Sequence, residues 1–175
     1  AEIFNYNVFS LAGDGCIMEG VAHEACSLAG HLGLSNFTIL YDANDICLDG
    51  DLEECFSEDV WKRFESYGWD FTEVNGHNYK QIDKAIVKAK KSNKPSIISC
   101  KTVIGFGSPN KSGKSVSHGA PLGEEEIKLV RKKLNWTHPA FDVPNNILEE
   151  WRQIGSKGEI LEKEWLSELN NSKKE

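Results

Sequence analysis

The chain has 175 residues, 39% of them hydrophobic and 27% charged, which suits one soluble globular domain with a sizeable core. A formal net charge of −7 argues against a general nucleic-acid or anionic-membrane surface, so any phosphate must be held locally, by metal and backbone. No apolar run approaches the roughly 18 residues of a membrane span and Ala1-Glu2-Ile3-Phe4 has no basic flank, so the expected setting is soluble and cytoplasmic.

Tyr6 to Ala12 reads as the first strand, with Val8, Phe9 and Leu11 as its apolar bulk, closed by Gly13-Asp14-Gly15. A start without Met, so close to a strand, is what a segment of a longer chain would have. Met18 to Leu32 predicts a helix with Val21, Ala22, Ala25, Leu28, Ala29 and Leu32 on its buried stripe. Phe37 to Tyr41 is the second strand, closed by Asp42-Ala43-Asn44. Asp49-Gly50-Asp51 then turns the chain, without the spacing of an EF-hand. Ser57 is the expected N-cap of a helix carrying Val60, Trp61, Phe64 and Tyr67, stopped by Gly68.

The third strand is Asp70 to Val74, ended by the turn Asn75-Gly76-His77. Asn78 caps a helix with Ile82, Ala85, Ile86 and Ala89 inward. The fourth strand, Ser96 to Cys100, leads into a long Gly- and Ser-rich segment from Lys101 to Pro121, of a kind that more often carries function than not. After Gly123, acids Glu124 to Glu126 precede bases through Lys133, which predicts a solvated helix. One helix through Trp151 and another over Gly155 to Asn170 follow, and Lys173-Lys174-Glu175 is expected to fray. Strands alternating with helices predict an α/β fold, a doubly wound parallel sheet with helices on both faces and its ligands at the carboxyl edge.

In a right-handed βαβ unit that edge brings Asp14 and Asn44 together although far apart in sequence. Asp14 offers a carboxylate oxygen, Asn44 an amide oxygen, and the chain beyond can turn back a carbonyl such as that of Ile46. Hard oxygen donors in small number suit magnesium, with calcium or manganese as alternatives, and leave positions for water and phosphate. Gly15 lets backbone approach an anion closely, and the helix behind it directs N–H groups at one. The pattern asks for a metal-bridged diphosphate.

Five cysteines, Cys16, Cys26, Cys47, Cys55 and Cys100, include no Cys-x-x-Cys pair, so neither zinc cluster nor disulfide framework is expected, and most should be buried. Cys16 lies near the site yet has no visible base beside it, which favours packing over nucleophilic work. His23 and His31 are not at a metal-binding spacing and read as packing or interface residues; His77 belongs to a strand-ending turn, and His138 has no argued role.

Gly13 to Gly20, Glu24-Ala25, Leu28 to Leu32 and Asp42-Ala43-Asn44, with the loop Lys101 to Asn110 and Ser117-His118-Gly119-Ala120-Pro121-Leu122-Gly123, resemble the thiamine-diphosphate motif and closing loop of transketolases. The resemblance covers nearly the whole chain. It implies thiamine diphosphate and magnesium as cofactors, with metal held by Asp14, Asn44 and the Ile46 carbonyl, and cofactor by Asp14, Gly15, Asn44, Leu48 and His118. His118 would contact the diphosphate and face the substrate, and Glu19, otherwise a capping residue, would join an acidic network across a dimer interface. The implied reaction moves a two-carbon ketol unit between sugar phosphates of the pentose phosphate pathway. By the same resemblance residues 1–175 are one domain, most of the diphosphate-binding domain. Residues before it, a pyrimidine-binding domain supplied by the neighbouring subunit of a homodimer, and a C-terminal domain would be missing, leaving the segment inactive alone. Other thiamine-diphosphate enzymes, such as deoxyxylulose phosphate synthases, are disfavoured by the Ser-His-Gly-Ala-Pro-Leu-Gly loop.

Overall fold

Residues 3–48 and 50–172 are described by a computed structural model; Ala1, Glu2, Asp49 and the Lys173-Lys174-Glu175 tail lie outside the described residues. Four strands, β1 (Val8–Gly13), β2 (Phe37–Ala43), β3 (Asp70–Asn75) and β4 (Ser96–Lys101), form one parallel sheet in the order β1-β2-β4-β3. Each runs slightly further than its apolar core suggests, because register continues to Gly13↔Asp42, Ala43↔Lys101 and Asn75↔Lys101. β4 is central and its first five residues are buried, as expected of a strand covered on both faces.

The helices follow the direction of each crossover. α1 (Asp14–Met18) with α2 (Gly20–His31), and then α3 (Val60–Ser66), connect strands stepping one way across the sheet, whereas α4 (Tyr79–Ala89) connects β3 back to β4. Crossovers of one hand in opposite directions put their helices on opposite faces. The core divides accordingly. Ile17, Cys26, Ala29 and Phe64 pack with Ile39, Tyr41 and Ile97 on one face, and Ala85 and Ala89 pack with Val74, Ile98 and Cys100 on the other. The expected fold class stands.

Several expectations need correction. The helix expected over 18–32 is α2, and an extended Glu19 separates it from α1, a short helix that was not expected. Of the expected stripe Ala29 is buried and Ala22 half-buried, while Val21, Ala25, Leu28 and Leu32 are exposed and Cys26 is buried in their place. Close packing selects the small side; a Cβ on Gly30 would lie 1.9 Å from the Tyr67 carbonyl oxygen, so α2 can approach only there. Val8, Phe9 and Leu11 are exposed rather than core residues, since β1 is an edge strand. Asp59, not Ser57, caps α3, its carboxylate accepting from the Lys62 amide at 3.0 Å. Asn78 caps α4 as expected, accepting from Lys80 and Gln81. Of the cysteines only Cys26 and Cys100 are buried, and burial pushes both thiols up.

The structure falls into two compact units, Asn7–Leu134 and another of residues 3–6 with 135–172. The first ends with α5 (Glu124–Lys133), as expected. The second holds α6 (Asn145–Asn171), one continuous helix where two were expected. Gly155 and Gly158 lie inside it, and about 1 kcal/mol per interior glycine is too little to break a helix of 27 residues. In this unit the Trp165 indole donates to the Ile3 carbonyl at 3.0 Å. Among the described residues no helix is long and apolar enough to cross a membrane.

Candidate functional site

All four strands are parallel, so their carboxyl ends share one edge, and hydrogen bonds beyond the strands tighten it: the Thr102 amide donates to the Ala43 carbonyl and Gly76 to Lys101. Asp14 sits at this edge, 3% exposed. One of its carboxylate oxygens accepts from the Tyr41 hydroxyl, and the other from the backbone amides of Asn44 and Asp45, each at 3.0 Å. The expected pairing of residues 14 and 44 is therefore a direct clamp between the two strand ends. Asp45 takes a left-handed conformation (φ 62°) in the turn that leaves this clamp. Burial, and then the bond to Asp14, push the Tyr41 phenol up, so it remains a donor at neutral pH.

The Asn44 side-chain oxygen accepts from the Ile46 amide at 3.1 Å, which folds the chain back and buries Ile46. A carboxylate has about four lone-pair directions and three are used at Asp14; an amide oxygen has about two and one is used at Asn44. One carboxylate and one amide oxygen with capacity left, beside a turned-back main chain, fit a hard cation that keeps water or phosphate ligands. Among the described residues no three His, Cys, Asp or Glu side chains gather as a metal site.

Gly15 is exposed, and a Cβ built on it would meet nothing within 4 Å, so the backbone beside Asp14 is open to a ligand. Clefts on the two faces of the sheet meet at Asn44. One, about 720 Å³, carries Asp51, Glu53, Glu58, Asp59 and Glu73 against the single base Lys101, a lining suited to a cation rather than a bare anion. The other, about 430 Å³, is mostly apolar, lined by Leu11, Leu40, Ile82, Val103 and Ile104 beside Asp42 and Thr102.

The remaining expected residues lie around this edge. Leu48 is 67% exposed, and a Cβ on Gly119 would lie 3.7 Å from its Cδ1, so the Ser117 to Gly123 loop runs against the turn that follows Ile46. His118 follows the short 3₁₀ turn Ser115–Ser117 and is exposed. No hydrogen bond joins it to Asp14 or Asn44 among the described residues. Glu19 is also exposed; it is the residue preceding α2, yet its side chain makes no capping bond, which removes the purely local reading of that carboxylate.

Several contacts had no signal in the sequence. Thr102 donates to Asp42, and Lys101 pairs with Asp45 at 3.7 Å, fastening the start of the long loop to the site. His77 is more than a turn residue: its Nε2 accepts from the Val103 amide at 3.0 Å and its ring stacks on Phe106 at 4.1 Å. Glu126, expected to be solvated, is buried and accepts from the Ser108 hydroxyl and from the Asn110 amide and side chain, both at 2.9 Å. A Glu at the third position of a helix was the available hint, since that side chain folds back over the helix start.

The Ser108 hydroxyl first, then Asn110, hold the Glu126 carboxyl down at about 2. A lowered folded value means stabilisation that is complete above the ordinary carboxylate range and is lost as pH falls through it toward about 2. Thermal unfolding followed from pH 6 downward is expected to steepen below about pH 4.5, and Glu126→Gln should flatten that portion of the curve. Superimposable curves would show that the contact contributes nothing.

Comparison with known proteins gives a consistent result. The family model described as transketolase, thiamine diphosphate binding domain, matches residues 1–175. The chain is 48% identical over 166 residues to a transketolase of Buchnera aphidicola subsp. Baizongia pistaciae and 49% identical over 166 residues to transketolase 2 of Escherichia coli K12, in each case over 94% of this chain and 25% of the relative. It therefore spans about a quarter of the length of these relatives. The crystal structure of transketolase from Campylobacter jejuni superposes with a TM-score of 0.94 at 38% identity, over 98% of this chain and 27% of that one. A transketolase from Pichia stipitis in complex with sedoheptulose 7-phosphate superposes at 0.88 with 38% identity, over 94% of this chain and 25% of that one.

Proposed function

Because the chain belongs to the transketolase family through its thiamine-diphosphate-binding domain, we propose that the full-length protein transfers a two-carbon ketol unit from a ketose phosphate to an aldose phosphate. The observation that carries the reading is the clamp at the sheet edge, where a buried Asp14 holds the backbone of Asn44 and Asp45 beside an open Gly15. Asp14, the Asn44 amide oxygen and the Ile46 carbonyl would hold magnesium, or calcium or manganese in its place. Gly15 would donate its amide to the diphosphate, and Leu48 would line the cofactor ring. When bound, thiamine diphosphate supplies a nucleophilic carbon and an electron sink for breaking and making the carbon–carbon bond.

The chain's own work is then binding, orientation and proton handling. His118, on a loop that passes beside Leu48, would donate a hydrogen bond to the diphosphate side and move a proton at the substrate end through its imidazole. Glu19, with its carboxylate uncommitted, would meet the neighbouring subunit of a homodimer, whose pyrimidine-binding domain completes the cofactor pocket. Sugar phosphates as substrates are supported by the sedoheptulose 7-phosphate complex of the Pichia stipitis relative. A place in the pentose phosphate pathway and a cytoplasmic setting follow from the same reading.

The test is direct: full-length protein with thiamine diphosphate, magnesium, a ketose phosphate donor and an aldose phosphate acceptor should produce the two-carbon-extended ketose. Chelation of the divalent ion should stop it and added magnesium restore it. Absence of transfer from every donor tried, despite bound cofactor, would overturn the reading.

A further inference from the structure

α1 is only five residues long and is followed by an extended residue, Glu19 (φ −63°, ψ 135°). A helix this short has no stability of its own, and the carbonyls of its last turn lie beyond the reach of its own amides. Yet it carries Asp14 and Gly15, on whose placement the proposed cofactor site depends. Its hold must come from outside.

At its first residue the clamp on Asp14 supplies that hold, and Ile17 is packed in the core; at its carboxyl end the polar tie is Arg63, in α3. The residue is 8% exposed, and its Nη2 donates to the carbonyl of Ile17, in the last turn of α1, at 3.1 Å. Nη1 lies against the His23 imidazole in α2 and 3.1 Å from the Glu58 carboxylate. One planar group therefore ties three helices together, and a cation at a helix's carboxyl end is favourable in sign. The arrangement is costly. Among the described residues Nε has no hydrogen-bond partner, and a buried guanidinium is a poor way to gain stability where apolar packing would serve as well. Such a cost points to a geometric role.

We propose that Arg63 is a positioning residue for the cofactor: it fixes α1, and through it Asp14 and Gly15, in the arrangement that receives metal and diphosphate. The inference rests on the reading of the site given above. A lysine cannot replace it fully, because a single ammonium reaching Ile17 leaves the His23 and Glu58 contacts unmade.

The experiment uses full-length protein and calorimetric titration of thiamine diphosphate in magnesium, alongside kinetics and thermal unfolding without cofactor. Arg63→Met, which keeps the apolar stem, is expected to weaken cofactor binding at least about tenfold, the size of one lost charged hydrogen bond. The loss should fall on the cofactor concentration for half-maximal rate more than on kcat, with Arg63→Lys intermediate. A residue that only stabilised the fold would lower the unfolding temperature and leave the affinity of the folded protein unchanged, and that result overturns the proposal. If Arg63→Met does not fold, Glu58→Gln carries the test, with a few-fold loss of affinity expected and none overturning it. Failure of the unaltered protein to bind cofactor would instead overturn the reading of the site.

Discussion

Replacing Asp14 by Ala in the full-length protein is expected to abolish magnesium-dependent binding of thiamine diphosphate, with at least a 100-fold loss taken as roughly the bound set by two charged contacts. Two effects act together. The carboxylate is the one anionic donor of the proposed metal set, and it also satisfies the Tyr41 hydroxyl and the amides of Asn44 and Asp45. Buried donors left without an acceptor cost about 1–3 kcal/mol each, so the strand ends would also part. Asp14→Asn separates the effects, since it keeps an acceptor oxygen and the side-chain shape while removing the charge. Asp83→Ala, on the exposed side of α4, serves as the control and should bind as the unaltered protein does. Calorimetry with and without magnesium decides the matter, and equal affinity in Asp14→Ala and Asp83→Ala would show the metal assignment to be wrong.

His118→Ala is expected to lower turnover about 100-fold, the range of a lost proton-transfer group, while leaving metal dependence intact. Cofactor affinity should fall by about 10- to 100-fold, the equivalent of one hydrogen bond to a charged group at roughly 1.5–3 kcal/mol. The split between the two variants is informative: His118 is outside the hydrogen-bonded clamp of Asp14, so its loss should spare magnesium binding. Unchanged turnover and affinity would make the loop a solvated connector.

The metal and diphosphate end of the site was legible in the sequence because Gly-Asp-Gly and Asn44 terminate two strands whose ends a parallel crossover must align. The contacts that complete it were not. Thr102 and His77 join the site through strand order, and nothing in a linear pattern tells that β4 lies between β2 and β3, while Tyr41 reaches Asp14 through a phenol that the sequence reading counted only as the end of a strand. The face of α2 was only partly legible: Ala29 is buried as expected, but the stripe placed Val21, Leu28 and Leu32 inward, where Gly30 against Tyr67 demands the smallest side chains. At α3 both Ser57 and Asp59 can cap, and the position of the first helical residue, Val60, decides for Asp59. In α6 the stretch between Trp151 and Gly155 was read as a boundary between two helices, and the length of helix on either side carries the chain through it.

The strand order also dictates the sequence of events as the chain leaves the ribosome. β4 is the last in chain order of the four described strands and the one that both β2 and β3 pair with, Thr38 and Asp70 each facing Ser96. Among the described strands, β1 and β2 pair with each other without β4, whereas β3 pairs with β4 alone. Insertion of β4 joins the halves in one step and simultaneously delivers Lys101 and Thr102 to Asp45 and Asp42. The ligand edge is therefore built in two parts: the clamp on Asp14 needs only β1 and β2, whereas the contacts that fasten the long loop to it come with β4.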